Sequence, residues 1–248
     1  MPIGDQEFDS FHTHPYRVPK VRFDAISEAW ELYKQAWITW TLIALVVIVA
    51  YALINTALAG IFGIPKPVNP GGFKFVIRPG ARPFHAIIVM IVTGFLVGPM
   101  IRIACKQVRG IPIQFDELFN ISDVFANLIV GSILAGLAVL VGLGCCVVPG
   151  LVIAGLLMFT LPLIVDGGLS PTQAIGQSFQ ALKGQWLQAT LLHLVISFLA
   201  SLGAACCGVG VLVTAPLYSL TVAVLYRDFF LAKGLGAKDK PGWYGTDF

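Results

Sequence analysis

Long apolar runs separated by short polar stretches set the pattern of this chain. No charged residue falls between Lys34 and Lys66, between Asp123 and Asp166, or between Lys183 and Arg227. The first gap predicts one long or tilted membrane span over roughly residues 38–62. The other two gaps are each long enough for two spans and a tight turn. The turns are expected at GLGCCVVPG, residues 142–150, and at GAACCGVG, residues 203–210, where Gly and Pro break the helix. A further span is expected over residues 84–104, ending at Arg102 and Lys106. The expected fold is all-α and integral to the membrane, with six transmembrane helices in three hairpins, each preceded by a short cytoplasmic interfacial amphipathic helix.

Two of those short helices are written clearly. In SPTQAIGQSFQALKGQW, Ser170 is a good N-cap, Pro171 suits the first helical position and Gln173 completes a capping box. Ile175, Phe179, Leu182 and Trp186 then recur at helical spacing as one apolar face, with Lys183 beside it. Residues 24–37, DAISEAWELYKQAW, repeat the design with Ile26, Trp30, Tyr33 and Trp37. A constant offset of 149 positions relates Ala25 to Ala174, Ile26 to Ile175, Lys34 to Lys183 and Trp37 to Trp186. An internal repeat of amphipathic helix plus hairpin is therefore expected. A degenerate third copy would begin at Phe115, in FDELFNISDVF. Such helices lie flat at a membrane surface with Trp at the headgroup level, so Trp30, Lys34, Trp37, Phe179, Lys183 and Trp186 are the expected interfacial, lipid-facing residues.

The organisation that follows is a polar cytoplasmic tail over residues 1–21, a membrane domain over 22–233 and a second tail over 234–248. The repeat units fall at about 22–106, 114–168 and 169–233. Residues 64–83 are too rich in Pro and Gly for a helix, and their FKFVI core suits a short strand or hairpin arm. No cleavable leader is expected, because the first 22 residues lack a short apolar core.

Composition agrees with the pattern. The chain is 57% hydrophobic and only 12% charged, about half the charged fraction of soluble domains, and its mean hydropathy is +0.83. A net charge of +3 without a basic patch and interleaved aromatics excludes nucleic acid as a partner. With both termini inside, the cytoplasmic segments hold Arg17, Lys20, Arg22, Lys34, Arg102, Lys106, Arg109, Lys183, Arg227, Lys233, Lys238 and Lys240, against Lys66, Lys74, Arg78 and Arg82 outside. The positive-inside rule then favours an N-in, C-in protein.

Candidate chemistry is sparse. Cys145, Cys146, Cys206 and Cys207 stand in equivalent turns and admit a disulfide, a thiolate metal site or plain apolar packing, whereas Cys105 reads as inert packing. The pair His12 and His14 lacks a third ligand nearby and reads as exposed tail. Ionisable residues within the spans mark transport or proton relay, and here His193 is the main one, with His85 near a span end. Asn55, His193 and Tyr218 would have to line any polar pathway; Asn127, Ser197 and Ser201 read as interhelical hydrogen-bonders. Pro162 and Pro216 suit broken or kinked helices. Asp166 is a loop carboxylate that would meet Lys183, a lipid amine or water. It has no second acid or His at a catalytic spacing. Walker, dinucleotide, nucleophile-elbow and H-E-x-x-H motifs are absent from the sequence. No catalytic residue, metal or cofactor is therefore expected.

The P-L-I-V-D of Pro162–Asp166, the S-P-x-x-A-I of Ser170–Ile175, the K-G-x-W of Lys183–Trp186 and the Y-R-D of Tyr226–Asp228 carry a resemblance. Over about the last 130 residues the chain resembles the membrane domain found ahead of some glycerophosphodiester phosphodiesterases, and the YciC-type bacterial inner-membrane proteins. In that phosphodiesterase the catalysis belongs to a separate soluble domain, so the resemblance implies a fold and no activity. The expectation is a non-enzymatic structural or accessory module binding membrane lipids or other membrane-protein subunits. The alternative is a transporter or permeation pathway for a neutral or amphipathic solute.

Overall fold

The computed structural model describes residues 19–68, 72–77, 82–119, 123–205 and 210–231. The tail pair His12 and His14, and the turn cysteines Cys206 and Cys207, lie outside the described residues.

The elements run α1 (Asp24–Gln35), α2 (Trp37–Phe62), β1 (Gly63–Val68), β2 (Gly72–Ile77), α3 (Arg82–Val108), α4 (Phe125–Cys145), α5 (Val147–Leu156), α6 (Thr160–Val165), α7 (Pro171–Leu182), α8 (Trp186–Ala205) and α9 (Val211–Tyr226). Five stretches among the described residues are long and apolar enough to cross a membrane: Trp37–Phe62, Ile87–Val108, Phe125–Cys145, Val147–Val165 and Pro171–Gly203. Their outer faces agree, since Leu53, Ile61, Val141, Val148 and Phe198 are all largely exposed. Such a band would be a liability in water and is unremarkable against lipid tails. The chain is a membrane-embedded helical bundle.

The sixth apolar segment, α9, has 16 α-helical residues and continues as a five-residue π-helix over Arg227–Leu231. It packs against α1, α2, α3 and α8. Every residue from Ser219 to Tyr226 is buried. A helix apolar on all sides belongs at the centre of a bundle, and α9 takes that place.

Between α2 and α3 the Pro- and Gly-rich link folds as a two-stranded antiparallel hairpin, with Gly63 opposite Ile77 and Val68 opposite Gly72. The expected third amphipathic helix is not formed as such. Its described part is a 3₁₀ turn over Phe115–Phe119, anchored where Glu117 meets Lys106 of α3 at 2.8 Å. Gly110, at φ +78°, ends the preceding helix, and residues 111–114 run without regular structure into that turn.

The stretch expected as one span after Cys146 is broken. Leu157–Phe159 form an irregular joint between α5 and α6, three residues before Pro162. Pro162 has no N–H to donate to residue 158. Beside that gap Ser178 of α7 donates 2.7 Å to the Leu156 carbonyl and accepts the Phe159 N–H at 3.2 Å.

Candidate functional site

α1 and α7 lie at the end of the bundle from which α2 and α8 set out. The cap of α7 forms as its sequence dictates: Gln173 Oε1 accepts the Ser170 hydroxyl at 2.8 Å and the Ser170 N–H at 3.3 Å. Each helix buries a face of mostly small residues beside the aromatic face legible in its sequence. α1 packs through Ala25, Ala29 and Tyr33, and α7 through Ala174, Ser178 and Leu182. Small side chains let helices approach closely where apolar surface alone gives no drive to associate. The large aromatics are displaced outward, leaving Trp30, Trp37, Phe179 and Trp186 each between 41% and 57% exposed. Lys34 and Lys183 are exposed as well. Trp30 stacks on Tyr33 with centroids 5.5 Å apart.

The same end carries a belt of ion pairs. Three cations at the end of α3 each reach an acid from elsewhere: Arg102 clasps both oxygens of Asp123 at 2.8 and 3.0 Å, Lys106 meets Glu117, and Arg109 meets Asp166. Arg22 bonds Glu28 at 2.6 Å and Asp228 at 2.8 Å, while Arg227 bonds Glu28 at 2.5 Å and Asp228 at 2.9 Å. The segment before α1 is thereby tied to the end of α9.

Asp166 is the most enclosed of these acids, its side chain 4% exposed. Its partner is Arg109, 57 positions earlier, in place of the expected Lys183. Two glycines turn the carboxylate inward. A Cβ on Gly167 would stand 2.6 Å from the Leu163 carbonyl, and Gly168 takes φ +67° to end α6. Burial pushes the Asp166 carboxyl above the usual carboxylate range, against the pull of the Arg109 guanidinium.

Between α3, α4, the α5–α6 joint, α8 and α9 lies a cavity of about 440 Å³ that opens to the outer face of the bundle, where Thr93 is exposed. Its wall is mainly apolar, with Thr93, Ser132, Thr160, His193 and Tyr218 as the polar members. His193 and Tyr218 are thus brought together, their rings edge to face at 6.2 Å. Asn55 is not with them. It sits on the exposed side of α2 and donates 2.9 Å to the Tyr51 carbonyl, because α2 buries only its first turns, at Trp40, Ile43 and Ala44.

Cys105 is fully buried in the core, whereas Cys145 and Cys146 are exposed free thiols at the opposite end of the bundle. Among the described residues no three His, Cys, Asp or Glu side chains stand close enough to hold a metal.

No family model, no curated protein and no solved structure matches this chain.

The ion-pair partners are what sequence reasoning missed. The charges themselves are visible as short polar islands at span ends, and α3 offers three cations in succession with no acid nearby. That imbalance is the one signal that could have pointed to distant acids.

Proposed function

We propose that this chain is a six-span, non-enzymatic module of the bacterial inner membrane, with both termini inside. In this reading it organises the cytoplasmic leaflet through α1 and α7, and serves as an accessory subunit binding lipid or partner proteins. The observation that carries the reading is the matched exposure of two anchor sets 149 positions apart. Trp30 and Phe179, Lys34 and Lys183, and Trp37 and Trp186 all face outward. Ala25 and Ala174, Ala29 and Ser178, Tyr33 and Leu182, Trp40 and Ala189, and Ile43 and Leu192 are all buried. Even the hydroxyl bonds correspond, Thr41 to the Trp37 carbonyl and Thr190 to that of Trp186, both at 2.7 Å. This agreement supports an internal repeat of interfacial helix plus span. Tryptophan and lysine side by side suit a headgroup region rich in anionic lipid.

The sixth span is α9 with its π-helical continuation, and the cations gathered at the α1–α7 end support that end as the cytoplasmic one. The resemblance to the phosphodiesterase membrane domain and the YciC-type proteins belongs to the same proposal. Two of its motifs bring Asp166, Tyr226, Arg227 and Asp228 to this end of the bundle, where Arg109 holds Asp166.

The test is quenching of Trp37 and Trp186 fluorescence, in variants lacking the other tryptophans, by phospholipids brominated at defined depths. Both should be quenched most strongly by the shallowest bromines. Deep quenching or none would remove the interfacial reading. Trp186→Asp should in addition expose the preceding segment to protease; unchanged protection would count against it.

A second reading, a pathway for a neutral or amphipathic solute, draws on the cavity beside His193 and Tyr218. Flux of such a solute into proteoliposomes, absent from protein-free vesicles, decides that reading.

A further inference from the structure

We propose that the intramembrane cavity binds a neutral, single-chain amphiphile, its hydroxyl head held by Thr160 and His193 and its chain lying deeper in the bundle. The inference stands on the cavity alone and does not depend on the interfacial helices.

The decisive feature is the Thr160 hydroxyl. A threonine inside a membrane helix ordinarily returns its proton to the carbonyl four residues earlier. Thr93, Thr190, Thr214 and Thr221 all do so here, at 2.7 to 3.1 Å. For Thr160, the first residue of α6, that carbonyl belongs to Leu156 across the non-helical joint, and Ser178 bonds it instead. Thr160, only 1% exposed, is left with an Oγ1 that has no protein partner, and it lines the cavity. His193 Nδ1, on the same wall, has no protein partner either. Two buried polar atoms without partners at one cavity are costly in a medium without water and mark where a ligand oxygen would bond. A hydroxyl suits both, because it donates and accepts at once.

The rest of the wall defines the ligand. No Asp, Glu, Lys or Arg lines the cavity, so a phosphate or carboxylate head would enter without a counter-charge. Of the polar members, Ser132, Thr160, His193 and Tyr218 lie five to eight residues in from the ends of α4, α6, α8 and α9 nearest α1 and α7. They therefore share one level, about 8–12 Å along the helices. Met90, Val139 and Ala154 continue the wall one to two turns further in, as a chain would require. The volume falls within the range of about 300–1,000 Å³ that holds one drug-sized molecule, which suits one chain better than two.

The test uses the purified full chain in nanodiscs with 1-oleoylglycerol as probe, and oleate as a molecule with the same chain and a charged head. Binding is read by native mass spectrometry and by the thermal shift. The oleoylglycerol should bind at least about tenfold more tightly than oleate. Thr160→Val should weaken it about three- to tenfold, as loss of one neutral hydrogen bond does. The same variant without ligand should be as stable as the parent, because the hydroxyl has no bond to lose. Ala135→Phe, which fills the cavity, should abolish binding. Equal binding of the two probes would overturn the proposal. So would oleoylglycerol binding that Thr160→Val leaves unchanged, which would identify lipid on the outer surface or a cavity filled by water alone.

Discussion

Ser178 Oγ and the Leu156 carbonyl, 2.7 Å apart, join helix α7 to the broken helix α5–α6. The same oxygen accepts the Phe159 N–H, so one fully buried hydroxyl satisfies two backbone groups at the joint. Ser178→Ala strands a buried donor and a buried acceptor, at a cost of about 1–3 kcal/mol. The expected result is a clear fall in Tm in detergent, while Ser27→Ala, on the less buried side of α1, should leave Tm within error.

Arg109 and Asp166 form the most enclosed ion pair of the belt. Removing the cation alone abandons a buried carboxylate, which costs about 3–5 kcal/mol where both partners are fully buried. Arg109 is 30% exposed, so solvent reaches its end of the pair and Arg109→Gln should fall at or below the lower bound. Asp166→Asn removes the buried charge and keeps an acceptor for the guanidinium, so it should cost less. Chemical unfolding of the two variants checks the order. An Asp166→Asn protein less stable than Arg109→Gln would contradict it.

What the sequence makes legible is what one helix decides for itself. The charge-free gaps give the spans, and the Ser170 cap and Pro171 place the start of α7 where the structure has it. What it leaves illegible depends on neighbours. The apolar periodicity of α1 and α7 marks the large aromatics but not the small residues Ala25, Ala29, Ala174 and Ser178, which the bundle buries while Trp30, Trp37 and Trp186 stay outward. Asp166 looks solitary because its partner is 57 positions away. Thr160 looks like any helical threonine until Ser178, from the next helix, takes its carbonyl. Asn55 looks like a pathway residue until α2 is seen to turn that face to the outside.

Acid should loosen the tie between α1 and α9. Burial opposes ionisation of Glu28, but hydrogen bonds from Arg227 and Arg22 outweigh it and hold the carboxyl below its ordinary value of 4.5. A depressed carboxyl contributes stability that is fully present above the unfolded-state value and is lost as pH falls through the folded-state one. Asp166 works in the opposite sense, since its raised value means that protonation relieves a burial penalty. Comparison with Glu28→Gln isolates the first effect. Between about pH 5 and pH 3 the parent should lose more Tm than the variant. Parallel curves would show that the Arg22–Glu28–Arg227 network contributes nothing to stability.

The turn after α4 offers a test within two residues of sequence. A Cβ on Gly142 would stand 2.8 Å from Ile153 Cδ1, 2.9 Å from Gly150 Cα and 3.1 Å from its nitrogen, so α4 and α5 cross almost backbone to backbone. Gly144, on the same helix, would present its Cβ to open space. Gly142→Ala therefore drives the helices apart at a cost of about 1–3 kcal/mol. Gly144→Ala gains helix propensity without a clash, worth up to about 1 kcal/mol in its favour. The Tm values should move in opposite directions for the same chemical change, through the position alone. If both variants lost stability equally, the close crossing at Gly150 would not be what holds this turn, and the two glycines would instead act through the flexibility they share.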